Sequence, residues 1–247
     1  MDLIYRVSAA LRIISRSKRG IFSFFKSGAS VASTQILHSV KQYLPSVKTI
    51  LDVGANQGQF AIAACYFYPE AKIYSFEPVP DTFGILKKNI KDYGNVTIFD
   101  LALGSSTGRL EFYRNEYSHA SSALPVSRLQ KSVLPKTSKE HKISVEVKRL
   151  DDVFRQIKKE QPILLKLDVQ GFEKEVLKGA QETLNEIDYL LFEASFVAMY
   201  DGEPLFDEMH SYVTSLGFEL IAPVGFLQSD DLQILQMDML YKNERRA

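Results

Sequence analysis

The residues with chemical potential begin at TILDVGANQGQF, residues 49–60, where an apolar run passes through Gly54-Ala55-Asn56-Gln57-Gly58 into a helical pattern. A glycine turn at the carboxyl end of a strand lets a ligand approach the backbone closely. The dinucleotide fingerprint needs glycines at G-x-G-x-x-G, and here positions 54, 56 and 59 are Gly, Asn and Gln. A phosphate loop needs Gly-Lys-Ser/Thr, which does not follow. What remains is D-x-G-x-x-x-G on Asp52, Gly54 and Gly58, with Glu77 and Pro78 ending the next apolar run 25 residues after Asp52. A carboxylate at that place can accept hydrogen bonds from ribose hydroxyls. Further on, ILLKLDV sets Lys166 and Asp168 two apart, so both side chains leave a strand on one face. A lysine in a buried strand is uncommon unless paired, and Asp168 is the obvious partner. Glu173 at the start of the following helix and Glu193 in LLFEAS add carboxylates. His119 is a second candidate base, because its ordinary pKa suits neutral pH.

The D-x-G-x-x-x-G turn is similar to the first motif of class I methyltransferases that use S-adenosylmethionine. That cofactor has no pyrophosphate, so a wide phosphate-cradling turn is unnecessary. Gly54 lets the chain pass under the methionine and ribose, and Asp52 can meet the ammonium side directly or through water. The ordered set DVGANQG, FEP, ALG, SS and KLDVQGFE, from about Thr49 to Glu193, resembles the FkbM family of S-adenosylmethionine-dependent methyltransferases. The resemblance implies O-methyl transfer to hydroxyls of sugars, polyketides and similar molecules. It also implies that Asp100, Leu101, Ala102 and Leu103 lie near the adenine, with Phe76 and Leu101 lining its pocket, and that Ser121-Ser122 falls beside His119. An alcohol is a poor nucleophile, so a base at Asp168, with Lys166 and Glu173 or His119 in support, fits the chemistry. Alternatively, Lys166, Asp168 and Glu173 form an ion-pair network that only fixes a loop. His38, His119, His141 and His210 show no metal-ligand spacing, so no metal is expected; Asp168 with Glu193 is the one carboxylate pair of the kind that holds a divalent ion.

Around these residues, short apolar runs alternate with helical patterns. Strands are predicted at 49–53, 72–77, 96–100, 109–113, 143–150, 163–169 and 189–195, and helices at 57–68, 80–92, 151–159 and 171–184. Such alternation predicts an α/β class I methyltransferase Rossmann-like fold, a mostly parallel sheet with helices on both faces. A helix at 205–216 and strands at 218–222 and 234–243 predict an antiparallel edge. Residues 115–142, rich in Ser, Lys and Pro, read as a loop insertion. Ser127–Leu150 carries seven Lys/Arg against two Glu, either a solvated surface or a substrate-covering loop that attracts an anionic group.

The 247 residues, 45% hydrophobic and 24% charged, describe an ordinary globular chain and exclude a disordered or collagen-like one. The single Cys65 excludes a disulfide scaffold and reads as a small core hydrophobe. Net charge is zero, yet residues 1–48 hold eight basic residues against Asp2, while the remaining 199 hold 22 against 29 acidic. Leu3, Ile4, Val7, Ala10, Leu11 and Ile14 recur at helical spacing beside Arg6, Arg12 and Arg16, and IFSFF follows at 21–25. Residues 1–32 are therefore expected to be a basic amphipathic helical extension, and 33–247 the methyltransferase domain. The extension fits peripheral contact with an anionic membrane through residues 1–30, or packing on the body. Arg6 and Arg12 interrupt a signal-peptide core, and no apolar run approaches transmembrane length, so a cytoplasmic location is expected. Nucleic acid is not an expected partner. The rivals are a nucleotide-dependent oxidoreductase and a non-catalytic S-adenosylmethionine-binding scaffold acting through the basic segment.

Overall fold

A computed structural model describes residues 29–229 and 231–246. The expected amphipathic helix over residues 1–27 lies outside the described residues. Helix α1 (Val31–Tyr43) is capped by Ser30, whose hydroxyl accepts from the Ser33 N–H at 3.0 Å. It buries Thr34, Leu37 and Val40, spaced three apart on one face, and runs across the expected division at residue 32.

The chain then winds through β1 (Thr49–Val53), α2 (Gln59–Phe67), β2 (Lys72–Phe76), α3 (Pro80–Asn89) and β3 (Val96–Phe99). Proline at the first position of α3 lacks an N–H that the helix end could not use. After an excursion, β7 (Ile163–Leu167), α6 (Glu173–Lys178), β8 (Tyr189–Ser195) and α7 (Phe206–Ser215) follow, and β9 (Phe218–Gln228) and β10 (Ile234–Asn243) close the chain. The seven strands lie in the order β3-β2-β1-β7-β8-β10-β9. β1, β2, β3, β7 and β8 are mutually parallel, and β10 is antiparallel to both its neighbours. The expected Rossmann-like sheet with an antiparallel edge is therefore present.

Strand pleating divides the core. Ile50, Ile73, Leu164 and Leu240 face α1 and α2, while Leu51, Val53, Phe76, Leu165 and Phe192 face the opposite layer with α6 and α7. Strands buried on both faces account for the continuous apolar runs. Cys65 is half-buried in the first layer, and burial pushes its thiol up to about 11, as suits an inert packing residue.

Several expectations change. The runs at 109–113 and 143–150 do not join the main sheet. β4 (Ala102–Leu103), β5 (Gly108–Asn115) and β6 (Glu140–Lys148) form a second sheet, in which β5 and β6 are antiparallel. Their one-sided burial, with Phe112, Val145 and Val147 inward and Glu111 and Glu146 outward, marks a sheet with one wet face. The 115–142 stretch is the folded far end of this hairpin. It holds 3-10 turns at Ser118–Ala120 and Pro135–Thr137 and helix α4 (Arg128–Val133). It folds back onto the loop after β8, where the Ser127 N–H donates to Met199 O at 2.9 Å. The helix expected at 151–159 shortens to α5 (Leu150–Phe154), and the one at 171–184 to α6 with a 3-10 turn at Thr183–Asn185.

Candidate active site

The strand order reverses between β1 and β7, and there, at the strands' carboxyl ends, lies a cleft of about 450 Å³. Its floor starts at the β1 turn. The Gly54 and Ala55 N–H groups donate to Phe76 O at 3.0 and 2.9 Å, which ties the turn to β2. Gly54 has φ +79°, and a Cβ there would fall 1.9 Å from Asp168 O, so no larger residue fits. Asn56 also takes positive φ, which aims its N–H at Glu77 Oε2 (3.0 Å). The Val79 N–H donates to the other oxygen at 2.9 Å. Glu77 is thus held on both oxygens between two loops, and burial pushes its pKa up to about 7. Each oxygen keeps a further lone pair, as a ribose diol requires. Phe76, Pro78, Leu101, Ala102 and Phe172 supply an apolar wall beside it, and Phe76 stacks on Phe99 at 4.8 Å.

Asp52 does not line this cleft. Its side chain is fully buried, because β1 pairs with β7 on its far side and sets Asp52 opposite Lys166. Lys166 Nζ lies 3.0 Å from Asp52 Oδ1 and 3.5 Å from Asp168 Oδ2, and donates to Gly54 O at 3.2 Å. Burial opposes its charge, but the Asp52 and Asp168 carboxylates prevail and hold its pKa above the ordinary lysine value. Asp52 is thus a buried counter-charge to Lys166 beneath the turn. Gly58, at φ +91°, caps α2, and Asp100 is exposed at the end of β3; neither borders the cleft. Gly54, Ala55, Asn56, Glu77, Pro78, Leu101 and Ala102 do.

The far end of the cleft is polar. Asp168, with 44% of its side chain exposed, stands where the two ends join. After it the chain turns through Gln170 (φ +57°) and Gly171 (φ +92°), and a Cβ on Gly171 would meet Glu203 at 2.9 Å. This turn folds the Gln170 amide back, so that Nε2 donates to Asp168 Oδ1 (2.6 Å) and Glu193 Oε2 (2.9 Å). Gln236 Nε2 also donates to Glu193 Oε2 at 2.9 Å. Asp238 faces Glu193 across the β8–β10 pair. Burial, reinforced by the Asp168 charge, raises Glu193 well above the carboxylate range and Asp238 to about 7.

Glu173 is buried behind this wall and accepts the Val169 N–H at 3.0 Å; burial raises it to about 8. It fixes the loop and does not border the cleft. His119 lines the cleft from a 3-10 turn of the insertion. Desolvation lowers its pKa against the pull of Asp168, with Lys136 and Lys166 adding to the lowering, so it is a neutral base at pH 7. The Ser121-Ser122 pair fastens the insertion: Ser122 Oγ donates to Gln170 O (2.6 Å), and Ser121 Oγ accepts the Asn115 N–H.

Most of the basic side chains of the insertion are turned to partners of their own. Lys131, Lys139, Lys142, Lys148 and Arg149 each pair with a carboxylate, and Lys136 is the basic residue of the insertion on the cleft wall. Gln170, Gln236, Asp238, Tyr200 and Gln130 were not singled out from sequence. Gln170 sits inside KLDVQGFE and could have been; the others reach the site by tertiary packing alone. Among the described residues no group of three or more His, Cys, Asp or Glu could hold a metal ion.

A sequence profile described as the methyltransferase FkbM domain matches residues 52–220. The chain is 29% identical over 160 residues to 2-O-methyltransferase NoeI of Sinorhizobium fredii, covering 62% of this chain and 66% of that protein. It is 36% identical over 162 residues to methyltransferase sdnD of Sordaria araneosa, covering 56% and 62%. To hexuronic acid methyltransferase AglP of Haloferax volcanii it is 29% identical over 143 residues, covering 58% and 54%. The chain thus spans just under two thirds of the first of these relatives. With a match over more than half its length and a glycine turn and carboxylate that fit the cofactor, the chain belongs to the FkbM family of S-adenosylmethionine-dependent methyltransferases.

Proposed function

We propose that the protein transfers a methyl group to a hydroxyl of a glycan, glycolipid or natural-product acceptor. The observation that carries this reading is the junction at Asp168: an exposed carboxylate between an end suited to a nucleoside and an end lined with polar groups. Gly54, Ala55 and Asn56 form the cofactor floor, Glu77 takes the ribose hydroxyls, and Leu101 and Ala102 flank the adenine. S-adenosylmethionine, when bound, supplies an electrophilic methyl on a sulfonium. Asp168 holds the acceptor hydroxyl in line and accepts its proton, with Lys166 fixing its orientation. His119, neutral at pH 7, is the alternative proton acceptor. Alignment of the two reactants supplies much of the rate. O-methylation in the name of NoeI and a hexuronic acid in that of AglP support a sugar hydroxyl as the target.

The test is calorimetric titration with S-adenosylhomocysteine, followed by a screen of hydroxyl acceptors with methyl-labelled cofactor. Micromolar binding, lost in Glu77→Ala, is expected. A folded wild type that binds none of it defeats the reading.

Peripheral contact of residues 1–30 with an anionic membrane is part of this proposal and rests on their sequence. Among the described residues no helix is long and apolar enough to cross a membrane. Flotation with phosphatidylserine vesicles, with and without residues 1–30, tests the contact; equal recovery of both proteins refutes it.

A further inference from the structure

A chain of hydrogen bonds leaves the acceptor end of the cleft and finishes on an atom without a partner. Gln170 Nε2 donates to Asp168 and Glu193, which fixes Gln170 Oε1 as an acceptor. Tyr200 OH donates to that oxygen at 2.7 Å, which leaves the phenol oxygen able only to accept. Gln130 Nε2 donates to Tyr200 OH at 3.4 Å. The chain therefore assigns Gln130 Nε2 to Tyr200 and leaves Gln130 Oε1 as the unused acceptor. Its Oε1 has no hydrogen-bond partner and is closed to bulk water.

Gln130 is 4% exposed, yet it stands on the wall of the cleft, with Asp168, Glu193 and His119 among the other lining residues. It is held there at both ends. The Ser127 hydroxyl accepts the Gln130 N–H at 3.1 Å as the cap of α4, and the same hydroxyl donates to Ala198 O at 2.8 Å. Glu203 accepts the Met199 and Tyr200 N–H groups and the Ser195 hydroxyl, and so fixes the loop that carries Tyr200. A buried carbonyl left unpaired in so constrained a place is an unfilled acceptor, and native structures rarely leave one. Its neighbours on the cleft wall, Asp168, Glu193 and Asp238, are acceptors as well when ionised.

We infer that Gln130 reads a second hydroxyl of the methyl acceptor, a neutral polyol that donates one O–H to Asp168 and another to Gln130 Oε1 as the Gln130 amide turns toward the cleft it lines. The inference rests on the proposed hydroxyl methylation. It commits the part of the acceptor between Asp168 and Gln130 to hydroxyl donors, since Asp168 and Gln130 Oε1 both offer it lone pairs. Gln130 is a specificity residue that touches the acceptor, distant from the transferred methyl.

The experiment compares wild type and Gln130→Met on methyl hexopyranosides and their monodeoxy counterparts, with methyl-labelled cofactor. Saturation-transfer NMR of the same sugars in the presence of S-adenosylhomocysteine gives binding without turnover. For the sugar that is methylated, Gln130→Met is expected to raise KM roughly tenfold with kcat within about twofold, the size of one neutral hydrogen bond. One monodeoxy sugar is expected to show the same loss on wild type and no further loss on the variant. S-adenosylhomocysteine affinity and thermal midpoint stay unchanged, which separates recognition from a folding defect. Equal further loss of the variant on every deoxy sugar, an unchanged KM, or a fall in kcat with KM constant overturns the role of Gln130. Absence of both turnover and NMR contact for all the sugars, with the homocysteine product still bound, overturns the polyol acceptor. Failure of the protein to bind S-adenosylhomocysteine defeats the underlying methyltransferase reading instead.

Discussion

The two ends of the cleft are built in opposite ways. The cofactor end is local: Gly54 to Glu77 spans one strand–helix–strand unit, and its hydrogen bonds run between backbone groups and one carboxylate. The acceptor end is assembled from β7, β8, β10 and an insertion hung between two strands of a separate sheet. There, side chains bond to side chains: Gln170 to Asp168 and Glu193, Gln236 to Glu193, Tyr200 to Gln170. A backbone-built end tolerates variation in its side chains and takes one conserved ligand chemistry. A side-chain-built end changes its preference with single substitutions. The division predicts which end each variant should damage.

Asp168→Asn should have the largest effect. It removes the proton acceptor at the junction while keeping the contact with Gln170, so kcat is expected to fall by about 10²–10⁴. Affinity for S-adenosylhomocysteine should change less than about threefold. A comparable loss of cofactor affinity would show that Asp168 belongs to the cofactor end and break the division. Lys166→Met comes next and acts on both ends at once. It leaves Asp52 buried beneath the turn without its counter-charge and removes the bond to Gly54 O. Breaking a buried pair costs about 3–5 kcal/mol, to be read by urea denaturation. A loss below 1 kcal/mol would mean that Asp52 folds protonated.

That difference also explains what the sequence made legible. The D-x-G-x-x-x-G turn, Glu77 and the order of the parallel strands could be read because each is a short-range pattern with a geometric reason. Asp52 was placed correctly on its strand but given the wrong neighbour. Spacing says that Asp52 ends β1, but only the register with β7 shows that Lys166 fills the space before it. The runs RLEFY and ISVEVKRL read as strands of the main sheet because their separation from it depends on where β4 turns away. Gln130, Tyr200 and Asp238 carry no motif; they lie far apart in the chain and meet through the fold-back of the insertion. Its excess of lysines left a solvated surface and an anion-attracting loop both open, because sequence does not reveal that most are matched by Glu111, Glu116, Glu140, Glu146 and Asp151.

Stability and cofactor affinity should also respond oppositely to pH. Glu173, raised from 4.5 to about 8, and Asp238, raised to about 7, bind protons more tightly folded than unfolded. Their contribution to stability is therefore complete below the unfolded value and is lost as pH rises through the folded one. Each group costs about 1.4 kcal/mol per pH unit within that window. The ligand-free protein should thus lose stability between about pH 5 and 8, and Glu173→Gln should flatten the decline and be the more stable at pH 8. Glu77, with its pKa near 7, accepts ribose hydroxyls best when ionised, so S-adenosylhomocysteine affinity should rise across the same range. Thermal melts and titrations from pH 5 to 9 report both trends. Parallel trends would mean that the two ends titrate as one network.

The smallest expected effect lies where the two ends touch. Ser118, on the turn that carries His119, donates to Asn56 Oδ1 at 3.1 Å and accepts from Gln57 Nε2 at 3.4 Å. Asn56 and Gln57 belong to the cofactor turn, so one hydroxyl joins the insertion to it. A neutral hydrogen bond of this kind contributes roughly 0.5–1.5 kcal/mol, at most about a tenfold change in an equilibrium. The cofactor turn keeps its own ties to Phe76 O and Glu77 without Ser118, whereas the His119 turn loses its tie to the cofactor turn and keeps those through Ser121 and Ser122. Ser118→Ala should therefore raise the acceptor KM several-fold and move S-adenosylhomocysteine affinity by less than about twofold. Equal shifts in both would show that the hydroxyl couples the ends, because a contact felt identically by two ligands belongs to a single cooperative unit.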